Sequence, residues 1–226
     1  MTANIEYCSL IYNQTFMQSK NRVLILAPHT DDGELGCGGS IARLVSEGKE
    51  VYYVAFSICT RSLPPELPPD TLAKEVMKAT AILGIPRERV ILFDFDVRRF
   101  KEFRQDILEE MIKIKAKVEP DIVFIPSPTD IHQDHQVISE EGLRAYKNTS
   151  LLGYELPWNN VSFNTRCFIK LNEKHIRTKL KALTAYKSQA HRQYLNEEFI
   201  RGLAATRGVQ INSKYAEAFE MIRWVI

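Results

Sequence analysis

Cysteine is scarce in this chain: four in 226 residues (Cys8, Cys37, Cys59 and Cys167), scattered and without a CxxC pair. That usage excludes a disulfide framework and reads as reduced, buried thiols in a cytoplasmic protein. Long apolar runs are also missing. The continuous apolar runs, Val23 to Ala27 and Val51 to Phe56 among them, fall far short of the ~20 residues that span a bilayer, so no membrane span is expected. The opening stretch MTANIEYCSLIYNQTFMQ has no basic region followed by a long apolar one, and so does not read as a signal peptide. No charge of one sign dominates, because 30 Lys+Arg stand against 28 Asp+Glu, a net +2. This balance argues against nucleic acid or an anionic membrane as partner. Internal repeats and low-complexity tracts are absent. What is present, 45% hydrophobic and 26% charged residues, is the composition of a globular protein. Its length suggests a single domain over residues 1–226, with a core at about 20–150 and substrate-side elements at about 151–226. A homo-oligomer is compatible with this composition.

Apolar periodicity alternates between two patterns. Short continuous runs at Val23–Ala27, Val51–Phe56, Val90–Phe93 and Ile122–Ile125 predict strands covered on both faces. Stripes with steps of three and four separate them: Cys37, Ile41, Leu44; then Leu72, Val76, Ala79, Leu83; then Phe103, Ile107, Met111, Ile114. A fourth stripe, His135, Ile138, Gly142 and Ala145, follows the last of these strands. This alternation predicts an α/β fold, a Rossmann-like three-layer αβα sandwich around a mostly parallel sheet. After about residue 150 the pattern changes to an extra strand within 163–171 and helices carrying Ile176, Leu180 and Leu183, then Leu195, Phe199 and Leu203. Residues 215–226 fit either helix or strand. The segment SLPPELPP (62–69) reads equally as a stiff surface connection or as a wall over a site.

Chemistry concentrates directly after the first predicted strand, in Pro28-His29-Thr30-Asp31-Asp32-Gly33-Glu34. One acid there is explained by a helix N-terminus, with Asp32 as its cap. Three acids and an imidazole at the end of a buried strand call for a counter-charge, and a divalent metal supplies one. The fourth strand leads into a second cluster, His132-Gln133-Asp134-His135. In a doubly wound sheet these two loops open side by side at the switch point, where ligands bind. A His, Asp, His set with water in the fourth position is the open pattern of a catalytic zinc, and a free carboxylate beside it suits proton transfer in amide hydrolysis.

With these motifs the chain resembles the PIG-L/LmbE-like deacetylases, zinc-dependent enzymes that remove acetyl groups from N-acetylated amino sugars. The segment from Pro28 to Gly39, P-H-T-D-D-G-E-L-G-C-G-G, matches the family's first motif, and His132-Gln133-Asp134-His135 matches its H-x-D-H. Two looser matches follow, Lys181 to Gln189 (with shifted spacing) and Tyr215-Ala216-Glu217-Ala218-Phe219. The resemblance implies that His29, Asp32 and His135 bind Zn2+, with Fe2+ as the alternative ion. It implies that Asp31 is the general base, and that His132, held by Asp134, stabilises the oxyanion or protonates the leaving nitrogen. Gly36, Gly38 and Gly39 would let the backbone turn into the first helix. Two positions depart from the family: Thr30 stands for its usual proline, and Asp130 stands where some relatives have a tyrosine.

Rival readings rest on weaker signals. Glu34-Leu35-Gly36-Cys37-Gly38-Gly39 imitates a glycine loop of S-adenosylmethionine-dependent methyltransferases, but four polar residues part it from the strand. Ser57 to Thr60 also lack the acid that family places after its second strand. A catalytically inactive sugar-binding relative is the third reading. The expected partner is a small N-acetylated sugar, nucleotide- or lipid-linked if basic residues face the metal. Arg61 is the leading substrate contact, with Arg98, Arg99, Arg104, Lys187, His191, Arg192 and Arg207 as further candidates. Trp158, Phe163 and Tyr154 are candidates for stacking on a sugar ring, against core packing. His175 reads as a surface residue and Cys37 as a small helix-facing one.

Overall fold

The computed structural model describes residues 21–226, so Cys8 and the opening stretch lie outside the described residues. The run Val23–Ala27 behaves as its composition demands. Strand β1 (Arg22–Ala27) sends Val23, Ile25 and Ala27 into one apolar cluster and Leu24 and Leu26 into another, each at most 1% exposed. Strands β2 (Glu50–Ala55), β3 (Val90–Leu92), β4 (Ile122–Pro126) and β5 (Ser150–Tyr154) join it in parallel. Strands β6 (Cys167–Leu171) and β7 (Tyr215–Arg223) extend the sheet antiparallel. The seven-stranded order is β3-β2-β1-β4-β5-β7-β6, so the direction of winding reverses between β1 and β4.

Helices cover both faces. Helices α1 (Asp32–Ser46), α2 (Thr71–Ile82) and α5 (Glu173–Leu183) bury Ile41, Val76 and Leu183 on one side, and α6 (Glu197–Val209) packs against β7. Helices α3 (Arg104–Val118) and α4 (Gln133–Ala145) bury Ile107, Met111 and Ile138 on the other. The α/β architecture expected from periodicity is what forms. Two details differ. Strand β5 had no forecast, because Ser-Leu-Leu-Gly-Tyr is short, interrupted by glycine and buried throughout, so it shows no alternation. The extra strand begins only at Cys167, and residues 215–223, open between two states, form β7.

The glycines of the first motif do not make a turn. They lie inside α1, where a Cβ on Gly36 would sit 2.4 Å from Tyr154 and one on Gly39 2.5 Å from Leu171. Their role is close packing of α1 on its neighbours. The helix is interrupted at Cys37 (φ −144°, ψ 21°), which unpairs backbone groups in its middle. Glu217 on β7 accepts from the Gly39 and Ser40 N–H groups at 3.0 and 2.7 Å. Lys179 on α5 donates to the Leu35 carbonyl and to Glu217, both at 2.7 Å. A buried ion pair thus completes the broken helix, satisfying polar groups that would otherwise be orphaned.

Candidate active site

The reversal between β1 and β4 sets the loop 28–31 beside the loop 127–132, and α1 and α4 begin there. Asp31 is the residue preceding α1, yet its carboxylate makes no capping hydrogen bond. Capping therefore does not account for the acids in this loop. Asp32 turns inward: its Oδ2 accepts from the His29 backbone N–H at 2.8 Å and lies 3.1 Å from His29 Nδ1. The same oxygen is 3.2 Å from His135 Nε2, and the two ring nitrogens are 3.3 Å apart.

These three atoms form a nearly equilateral triangle. A tetrahedral ion with bonds of about 2.0–2.1 Å has ligand-to-ligand edges of about 3.3 Å, so the set fits such an ion without rearrangement. The outer nitrogens support the same conclusion. His29 Nε2 meets Asp134 Oδ2 at 3.0 Å, and His135 Nδ1 meets Asp130 Oδ2 at 2.7 Å. Carboxylates on the far nitrogens fix each ring and leave the near nitrogens as acceptors pointing at one spot. His132 adds a third imidazole, with ligand atoms of all three histidines within 4.8 Å of one another.

The electrostatics of the cluster follow from burial and from the carboxylates packed against its imidazoles. Burial alone would lower His29 and His135, but the carboxylates of Asp134, Asp32 and Asp130 outweigh it and lift them to about 9 and about 10. Burial alone would raise Asp32, but the two imidazoles hold it well below the usual carboxylate range. For Asp31, burial and the neighbouring Asp32 charge outweigh the pull of the two imidazoles and push it up to about 6. Burial and the two other histidines push His132 down to about 4. Its Nδ1 accepts the Asp134 N–H at 3.2 Å, so the neutral ring carries its proton on Nε2.

One expectation changes here. Asp134 does not hold His132 through its carboxylate, which instead contacts His29 Nε2 and accepts from Arg98 N–H at 2.7 Å. Only its backbone N–H reaches His132, because α4 starts between them. Asp130, named in the sequence only as a departure, proves to brace both later histidines: Oδ2 on His135 and Oδ1 accepting from His132 N–H at 2.8 Å. Glu34 is buried behind the loop, its carboxyl lifted to about 8 by burial, within hydrogen-bond reach of the Tyr53 and Tyr186 hydroxyls. Both hydroxyls also reach the Thr30 carbonyl, at 2.9 and 2.6 Å, bracing the loop from below in the absence of the proline. No sequence period reveals that clamp, since its members lie up to 156 positions apart.

A cavity of about 370 Å³ opens over these residues, with Cys59, Leu72, Val97, Arg98, Trp158, Asn159, Gln189, Arg192 and Tyr194 on its walls. Arg61 is not on them; its side chain is 73% exposed and pairs with Asp96 at 2.9 Å. Of the proline-rich segment only Ser62 reaches the cavity, and all four prolines are exposed. Trp158 stacks on Tyr194 at 4.2 Å between centroids, whereas Tyr154 is core, its hydroxyl donating to the Leu26 carbonyl at 3.1 Å. Phe163 does not line the cavity. His175 completes a capping box with Asn172 at the start of α5, and Cys37 is buried with its thiol donating to the Gly33 carbonyl. Nothing in the ELGCGG stretch cradles a cofactor, because it runs within α1.

Residues 24–146 match the family described as PIG-L, GlcNAc-PI de-N-acetylase, which is more than half of the chain. The chain belongs to this family. Among curated relatives of this PIG-L member, the uncharacterized deacetylase YaiS of Escherichia coli is 31% identical over 79% of the chain and 98% of the relative. The diacetylchitobiose deacetylase of Thermococcus kodakarensis is 24% identical over 93% of the chain and 86% of the relative. Among solved structures, the N,N'-diacetylchitobiose deacetylase of Pyrococcus horikoshii superposes with a TM-score of 0.72 at 21% identity, over 90% of this chain and 84% of that one. The PIG-L fold is thus shared, and the family is one of deacetylases, hydrolases of amides. Among the described residues of this PIG-L protein, no helix is long and apolar enough to cross a membrane.

Proposed function

We propose that the protein is a metal-dependent N-deacetylase that releases acetate from a GlcNAc-type amino sugar or its conjugate. The observation that carries this reading is the triangle of His29 Nδ1, Asp32 Oδ2 and His135 Nε2, with Asp31, which makes no capping hydrogen bond, on the same cavity. His29, Asp32 and His135 would hold the ion, zinc or iron(II), whose N and O donors suit either. Bound there, a divalent ion polarises an amide carbonyl and lowers the pKa of water. Asp31 takes a proton from the attacking water and returns it to the departing nitrogen, leaving acetate and a free amine. His132 donates its Nε2 proton as a hydrogen bond to the carbonyl oxygen while negative charge gathers on it. The family description and the chitobiose-acting relative support an N-acetylated sugar as substrate.

The test is acetate release from a panel of N-acetylglucosamine derivatives by zinc-loaded, chelated and zinc-restored protein. Activity lost on chelation and regained with zinc is expected. Release that survives full chelation, or a protein that binds no zinc, would overturn the metal reading. Zinc bound without release of acetate from any member would favour an inactive sugar-binding relative.

Asp130 and Asp134 give a second expectation. Asp130→Asn and Asp134→Asn should each weaken zinc binding by about 10–100-fold, because each removes the carboxylate that orients a liganding imidazole. Competition with a chromophoric chelator reads this directly; an unchanged zinc affinity in both variants would contradict the roles assigned to them.

A further inference from the structure

Four non-glycine residues among those described adopt the left-handed conformation: Cys59, Arg98, Glu119 and Asn212. Glu119 ends helix α3, where that conformation is common, and asparagine tolerates it by residue type. Arg98 has neither excuse. At φ 67° its backbone N–H donates to Asp134 Oδ2 at 2.7 Å, and its carbonyl accepts from the Gln133 side chain at 3.3 Å. Both bonds would be kept by glycine, which adopts this backbone freely. The position nevertheless carries a long cationic side chain, on a residue that lines the cavity.

The guanidinium of Arg98 has no carboxylate partner among the described residues. Neither does that of Arg192 on the cavity wall, which reaches only the neutral Gln189 side chain at 3.5 Å. Their neighbours differ. Arg99 pairs with Asp96 and Glu102, Arg104 with Glu140 and Glu141, and Arg207 with Glu155. A cavity wall that carries two arginines without a carboxylate partner among the described residues offers a place for an external anion, which a guanidinium binds through paired hydrogen bonds.

We propose that Arg98 and Arg192 form an anion subsite, so that the substrate carries a carboxylate or a phosphate on the part of the molecule beyond the acetamide. This rests on the reading of the cavity as an N-deacetylase site. The subsite selects the substrate and takes no part in bond breaking.

The experiment compares kcat/KM for zinc-loaded protein on the neutral methyl glycoside of N-acetylglucosamine, the 1-phosphate and 6-phosphate of N-acetylglucosamine, and N-acetylmuramic acid. At least one anionic probe should exceed the methyl glycoside by about 10-fold or more. Which probe wins distinguishes phosphate from carboxylate. The advantage should shrink at high salt, and fall towards one in Arg98→Gly and in Arg192→Gln. Arg99→Gln, which removes a neutralised charge next door, should leave the ratio as it is. Thermal unfolding of Arg98→Gly guards against misfolding, since glycine suits that backbone. A ratio near one for all probes in the unmodified protein overturns the subsite, as does a ratio that survives both substitutions. If no probe is turned over, the deacetylase reading fails by itself, and calorimetric binding of the same probes decides the subsite. Tighter binding of an anionic probe, lost in Arg98→Gly, supports it; equal binding of charged and neutral probes overturns it.

Discussion

Asp31→Ala protein should retain zinc and lose about 10²–10⁴-fold in kcat, the usual contribution of a positioned proton carrier. The two adjacent aspartates make this a clean contrast. Asp32 meets both imidazoles, whereas the carboxylate of Asp31 makes no capping hydrogen bond to α1. Asp32→Ala should therefore lose zinc and activity together, and Asp31→Ala activity alone. Elemental analysis beside an acetate-release assay separates the two. Normal turnover by Asp31→Ala would remove Asp31 from the mechanism while leaving the metal site intact.

The largest expected loss of stability lies away from the cavity. In Lys179→Ala, Glu217 would keep its two backbone donors but lose its counter-ion, and the Leu35 carbonyl would lose the Lys179 hydrogen bond. Removing one partner of a buried ion pair costs about 3–5 kcal/mol, which lowers Tm by about 10 °C or more in a domain of this size. Lys181→Ala, two residues on and exposed, should change stability by no more than about 0.5 kcal/mol. Calorimetric unfolding of the two variants checks this. Equal midpoints would show that the pair does not support the interrupted helix.

The contrast between these lysines shows where sequence reading stopped. Lys181 carries the motif match, yet Lys179 is the buried one, at 4% exposure on the same face as Ile176 and Ala182. A hydrophobic stripe cannot announce a lysine as one of its members. Strand β5 is hidden for a related reason: it is buried throughout yet begins with serine, is interrupted by glycine, and is too short to show a period. The loop after the second strand offers Arg61 as a substrate contact, but a loop assignment carries no direction, and that side chain turns to Asp96.

Local order alone determined a good deal. The apolar runs and stripes specify the parallel sheet, because a strand buried on both faces admits little else. The placing of two motifs directly after β1 and β4 brings His29, Asp32 and His135 together, since a doubly wound sheet opens at that point. Tertiary structure decided what supports them. Asp134 serves His29 and not its neighbour in sequence, and Asp130 holds His135. Glu34, Tyr53 and Tyr186 brace the loop from three separate elements. Arg98 and Arg192 line the cavity, while Arg99 next door pairs with Glu102. The juxtaposition of His29, Asp32 and His135 can be read from spacing because the strands before them dictate their place. Their supports are set by side-chain direction and by contacts across the chain, which no short stretch of sequence contains.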